Sequence, residues 1–101
     1  MAHTNVDVPL DAIRDICARY HVTELALFGS VLSTDFRPDS DVDVLVEFEP
    51  NAPVGFIAYA GLAEELSAVL GRKVDLVSKV GLKPRIRKPI LDSAQVIYEA
   101  R

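Results

Sequence analysis

The chain is predicted to belong to the α/β (α+β) class, with about four short strands interleaved with helices. Three observations predict this. Two apolar runs, Leu25-Ala26-Leu27-Phe28 and Val44-Leu45-Val46, are too short for helices and are separated by a polar segment that begins at Gly29-Ser30. Two longer stretches, residues 9–20 and 55–70, repeat their apolar residues at helical spacing. Half of the 101 residues are hydrophobic, which suits one compact domain over residues 1–101 with a modest core.

In chain order, Pro9 suits the first turn of a helix, and Leu10, Ile13, Ile16, Cys17 and Tyr20 then fall on one face. Cys17 on that face reads as a buried, unreactive thiol. The helix is expected to end before His21, leaving this histidine in an exposed loop with no second histidine or cysteine at metal spacing. His3 falls in a frayed terminus. Residues 24–28 form the first strand, residues 30–32 a short helical turn, and residues 36–40 a loop built on Pro38 and Asp39. Residues 42–48 form a second strand, hydrophobic enough to be central.

Pro50-Asn51-Ala52-Pro53 breaks that strand. A second helix follows over residues 55–70, with Ile57, Leu62, Leu66, Val69 and Leu70 inward, Glu64 and Glu65 outward, and Gly71 as its stop. Residues 73–77 form a third strand, with Val74 and Leu76 on one face and Lys73, Asp75 and Val77 on the other. Pro84 and Pro89 limit any helix within residues 82–91 to a turn or two. Residues 94–98 form a last short strand. Tyr20, Tyr59 and Tyr98 read as core and rim packing.

Net charge is −4, which argues against broad nucleic-acid binding, but the charge is unevenly placed. Residues 35–49 hold six acids against Arg37, a local −5. Residues 72–88 hold seven bases against Asp75, a local +6. The acidic stretch suits cations, and the basic one suits a phosphate-bearing ligand or an acidic partner. No apolar run approaches membrane-spanning length, the N-terminus lacks signal-peptide character, and one cysteine cannot form an internal disulfide. A reducing cytoplasm is the expected setting.

The chemistry concentrates between Leu27 and Val46. Alternation along a strand puts Asp41 and Asp43 on one face. Two nearby carboxylates repel each other unless a cation lies between them, and hard oxygen ligands favour magnesium or manganese. Gly29 permits close backbone approach to a ligand, and Ser30 offers a hydroxyl and an amide at a helical start. If the third strand lies beside the second, Asp75 joins Asp41 and Asp43. Otherwise, Asp75 pairs with Lys73 or Arg72.

Gly29-Ser30, ten residues, then Asp41-x-Asp43 resembles the signature of the polymerase-beta-type nucleotidyltransferases. Gly71-Arg72-Lys73-Val74-Asp75-Leu76-Val77 and Leu82-Lys83-Pro84 are similar to the minimal branch of that superfamily, and the likeness runs from about residue 10 to 98. It implies a small mixed sheet flanked by helices, with Asp41, Asp43 and Asp75 as catalytic and metal-binding residues for two Mg2+ ions (or Mn2+). Gly29 and Ser30 would bind the phosphates of ATP. It further implies a protein adenylyltransferase that modifies a tyrosine hydroxyl of a HEPN-type toxin, acting as antitoxin in a hetero-oligomer.

One departure from the family pattern stands out. Where relatives commonly carry arginines soon after Gly-Ser, this chain has Val31, Ser33 and Thr34, which removes the usual bidentate phosphate clamp. Arg37 and Lys73 are the candidate substitutes, and Lys83-Pro84-Arg85-Ile86-Arg87-Lys88 lines the acceptor side, docks an acidic partner or is only a solvated face. Two other functions stay open: an antitoxin that neutralises by contact alone, and transfer to a small molecule or RNA end.

Overall fold

The computed structural model describes residues 6–33, 37 and 39–100. The elements are α1 (Leu10–Arg19), β1 (Val22–Phe28), a 3-10 turn (Gly29–Leu32), β2 (Val42–Phe48), α2 (Phe56–Leu70), β3 (Val74–Ser78), a second 3-10 turn (Lys79–Gly81), α3 (Pro84–Ser93) and β4 (Gln95–Glu99). The strands form one mixed sheet in the order β3-β2-β1-β4. β1 runs antiparallel to both β2 and β4, whereas β3 is parallel to β2. Parallel neighbours need a long crossover, and α2 supplies it. β2 is central, as its apolar run predicts.

Strand alternation divides the core between the two sheet faces. On one face, Leu25, Leu27, Val42, Val44 and Val46 pack with Ile13, Ile16 and Cys17 of α1 and Leu62, Leu66 and Leu70 of α2. On the other face, Ala26 and Leu45 lie with Leu82, Ile90 and Leu91, which bring α3 down onto the sheet. Asp43 and Asp75 alternate with residues of the first face, Val42, Val44, Val74 and Leu76, and therefore belong to the α3 face. Burial pushes the Cys17 thiol up to about 12, in keeping with an inert core cysteine.

Several expectations are corrected. Leu10 and Ile57 do not face inward: they are 55% and 88% exposed, and Phe56 is 91% exposed. The buried stripe of α2 is Leu62, Leu66 and Leu70, and Ile57 stands five residues before it, turned away by roughly 140° at 3.6 residues per turn. Glu65 is not a solvated outward acid. It accepts hydrogen bonds from Arg19 Nη2 (2.6 Å), Arg19 Nη1 (3.1 Å) and Tyr20 Oη (2.5 Å), which tie α2 to α1.

β1 begins at Val22, earlier than predicted, directly after a turn in which His21 takes φ 60. α3 is a full ten residues rather than a turn or two. Pro84 occupies its first turn, where the missing N–H costs nothing, and Pro89 sits on an exposed side where water can serve the carbonyl left unpaired. Gly71 closes α2 as expected, with φ 69 and its N–H donated to Ser67 O at 2.9 Å. The predictions for His3, Phe36 and Pro38 fall outside the described residues.

Candidate active site

The site begins where β1 ends. Phe28 is the antiparallel partner of Asp43, and the chain then turns through Gly29 at φ 77. This is the left-handed region that glycine enters without steric cost. A Cβ at this position would also collide with Asp43 Oδ2. The glycine that ends the first apolar run therefore lets the backbone press against a carboxylate. Ser30 follows in the 3-10 turn, half-buried, and its carbonyl accepts bonds from Ser33 N (3.0 Å) and Ser33 Oγ (3.1 Å). Among the described residues, no hydrogen bond engages the Ser30 hydroxyl.

The parallel register then sets Asp75 of β3 directly opposite Asp43 of β2. Asp41 lies just outside β2, next to Val42, whose N–H is donated to Lys73 O at 2.8 Å. Asp41 and Asp75 are exposed and Asp43 is half-buried. Burial, followed by the charges of Asp75 and Asp41, raises the Asp43 carboxyl above its ordinary value. Asp75 and Asp41 are thus close enough to oppose the ionisation of Asp43.

β3 is an edge strand and Asp75 is exposed, so burial does not by itself demand a partner. Register, rather than burial, brings Asp75 to the other two. The alternative pairing with Arg72 or Lys73 does not occur: among the described residues no ion pair engages Asp41, Asp43 or Asp75. Arg72 Nη1 instead donates to Arg37 O at 3.0 Å. Arg37 and Lys73, the candidate substitutes for the clamp, are both exposed, and among the described residues neither forms an ion pair with these acids.

The carboxylates adjoin without converging: among the described residues, no three acidic, histidine or cysteine side chains stand in a ligating arrangement. Their chemistry nonetheless fits a hard cation. They are oxygen donors without a cationic partner, and Asp43 is held where a positive charge would relieve it. Of the positions where arginines are common, Val31 is fully buried and Ser33 is spent on the turn, while Thr34 lies outside the described residues.

Two features left no signal in the sequence. Tyr59 of α2 donates its hydroxyl to Leu76 O at 2.8 Å, at the residue after Asp75. Its ring lies 6.2 Å from that of Phe48. Lys79, which reads as part of the basic stretch, is drawn inward to Glu24 at 2.6 Å and lies 4.0 Å from Glu47. Glu24 and Glu47 are cross-strand partners, so Lys79 neutralises a pair that would otherwise repel.

Comparison with known proteins agrees with this arrangement. The nucleotidyltransferase domain family matches residues 10–97. The protein adenylyltransferase MntA of Thermococcus cleftensis is 39% identical over 85 residues, spanning 84% of this chain and 82% of its own. A solved structure described as a candidate minimal nucleotidyltransferase is also 39% identical and superposes with a TM-score of 0.70 over 84% of this chain and 85% of that one. A tri-AMPylated HEPN toxin of Shewanella oneidensis in complex with its MNT antitoxin provides a more distant likeness: 20% identity, TM-score 0.64, 90% of this chain and 70% of that one. At that identity, the last match speaks only to the fold. The chain belongs to the nucleotidyltransferase domain family, as a minimal nucleotidyltransferase related to the protein adenylyltransferase MntA.

Proposed function

We propose that this chain transfers AMP from ATP to a tyrosine hydroxyl of a HEPN-type toxin and thereby acts as its antitoxin, in a cytoplasmic hetero-oligomer. The observation that carries the proposal is the juxtaposition of a glycine turn pressed on Asp43 with Asp75 across the strand pair. A phosphate-holding turn and a carboxylate cluster are the two parts that nucleotidyl transfer needs side by side. The name of the relative MntA, a protein adenylyltransferase, supports transfer of an adenylyl group to a protein.

The roles follow from position. Asp41, Asp43 and Asp75 would hold two Mg2+ ions, or Mn2+, which supply charge neutralisation at the entering and departing oxygens. The backbone at Gly29 and the Ser30 hydroxyl would hold the β and γ phosphates. Asp75, exposed on the edge strand, is assigned to the acceptor side, where it takes the proton of the attacking hydroxyl. A bond forms between that oxygen and the α-phosphorus, the bond to the bridging oxygen breaks, and pyrophosphate leaves.

A second reading, neutralisation by contact alone, is favoured by one observation: Val31 is buried and Ser33 is occupied, so neither can clamp a triphosphate. Intact mass spectrometry separates the two. The partner protein is incubated with ATP, Mg2+ and either this chain or its Asp41→Asn, Asp43→Asn variant. A gain of AMP units with the wild type alone is expected. No gain, with the toxin silenced equally by both proteins, would establish contact-only neutralisation instead.

A further inference from the structure

We infer that Tyr59 is a positioning residue for the carboxylate site: its hydroxyl pins the edge strand β3 beside Asp75 and holds Asp75 opposite Asp43. The inference rests on the reading of these acids as a cation site. β3 is hydrogen-bonded to the sheet on one side only, through its parallel ladder with β2. An edge strand presents unpaired carbonyls outward, and parallel ladders are slightly weaker per residue than antiparallel ones. The strand pair also carries two carboxylates at one level, because Asp43 and Asp75 are register partners. Like charges directly opposite across a strand pair are destabilising, so an outward movement of β3 is the one the site must resist.

Tyr59 opposes this movement from the other element that reaches β3. Its hydroxyl donates to Leu76 O at 2.8 Å, one residue past Asp75. The ring is half-buried against Phe48 at the end of β2, 6.2 Å between centroids, so the hydroxyl is carried on a braced lever rather than a mobile one. The same α2 is the covalent crossover from β2 to β3, so the contact ties the strand that carries Asp43 to the strand that carries Asp75. Tyr59 touches neither phosphate nor acceptor in the proposed arrangement. It acts through the backbone position of Asp75, as outer-shell partners of metal ligands do; loss of such a partner typically weakens metal binding about 10- to 100-fold.

Tyr59→Phe deletes the hydroxyl and keeps the ring. Tyr20→Phe is the matched control, since it also deletes one hydroxyl bond, to Glu65 at 2.5 Å, but at the C-cap of α1, at the α1–α2 contact and away from Asp41, Asp43 and Asp75. Mn2+ affinity is read by paramagnetic resonance titration, and backbone mobility by hydrogen exchange of the metal-free proteins. The expected result is a several-fold weaker Mn2+ affinity for Tyr59→Phe, with faster exchange confined to residues 74–78, and wild-type values for both in Tyr20→Phe. Unchanged Mn2+ affinity and unchanged β3 exchange in Tyr59→Phe overturn the inference. Equal losses in the two variants overturn it as well, since they would show a general loosening. Asp75→Asn distinguishes the deeper failure. If it leaves Mn2+ affinity untouched, the carboxylate-site reading falls and this inference with it. If Asp75→Asn weakens Mn2+ and Tyr59→Phe does not, only the inference about Tyr59 falls.

Discussion

Gly29 and Gly71 make a controlled pair, because both adopt positive φ (77 and 69) but differ in their surroundings. A Cβ at Gly71 meets nothing within 4 Å, whereas one at Gly29 strikes Asp43 Oδ2. Alanine at either position should cost about 1 kcal/mol or more through its strained backbone, read by urea unfolding. Only Gly29→Ala should also displace Asp43, cutting AMP transfer by about a hundredfold, the scale of losing one preorganised charge-stabilising group. Equal activity in the two variants would show that the close approach at Gly29 has no catalytic use. The turn at Gly29 and the strand position of Asp43 were legible in the sequence because both are local, resting on a strand end, a turn and a period of two. Tyr59 was not, because a tyrosine near the start of an amphipathic helix has the same pattern whether its hydroxyl meets water or an edge-strand carbonyl.

Among the elements, the calls that depend on one chain segment fared best. The long apolar run placed β2 at the centre, and Gly71 ended α2 on glycine's conformational freedom. What failed depended on neighbours. Ile57 fits a generic helical stripe, yet the buried stripe of α2 is Leu62, Leu66 and Leu70, with Tyr59 and Val69 packed beside it. α3 outran its prolines because its outer side is solvated and Ile90 and Leu91 anchor it to the sheet. Glu65 is the clearest case, an apparent surface acid recruited by α1. Hydrogen bonds from Arg19, then Tyr20, hold its carboxyl at about 2, below the ordinary 4.5. A depressed carboxyl stabilises the fold fully above pH 4.5, and that contribution is lost as pH falls from 4.5 to about 2. Thermal melts of the wild type and Glu65→Gln should therefore differ most at neutral pH and low salt and converge across this window. A gap that stays constant down to pH 2 would show that the α1–α2 contact does not depend on the charge of Glu65.

At the scale of the whole molecule, the sheet spends stability on its acidic end. Asp43 is raised above 3.8 by burial and by the charges of Asp75 and Asp41, so its ionised form is a cost to the metal-free fold. The sign is opposite to that of Glu65: the cost is present in full above the raised value and disappears as pH falls below 3.8. Asp43→Asn should therefore melt higher than the wild type at neutral pH without metal, with the advantage fading in acid, even though under the proposed function it should lose transfer. Added Mn2+ should reverse the order. A cation that binds only the folded wild type at ten times its dissociation constant contributes about 1.4 kcal/mol, or about 5–10 °C in a domain of this size, whereas the variant has lost a ligand and gains little. Melting curves of both proteins, across pH and with and without Mn2+, test the two halves together. If Asp43→Asn melts lower than the metal-free wild type at neutral pH, the carboxylates do not oppose one another. If Mn2+ shifts both proteins equally, the ion binds elsewhere. The crossing of the two stabilities would link the fold to its proposed chemistry: the acid whose charge costs the fold stability is one that a bound cation would turn to its advantage.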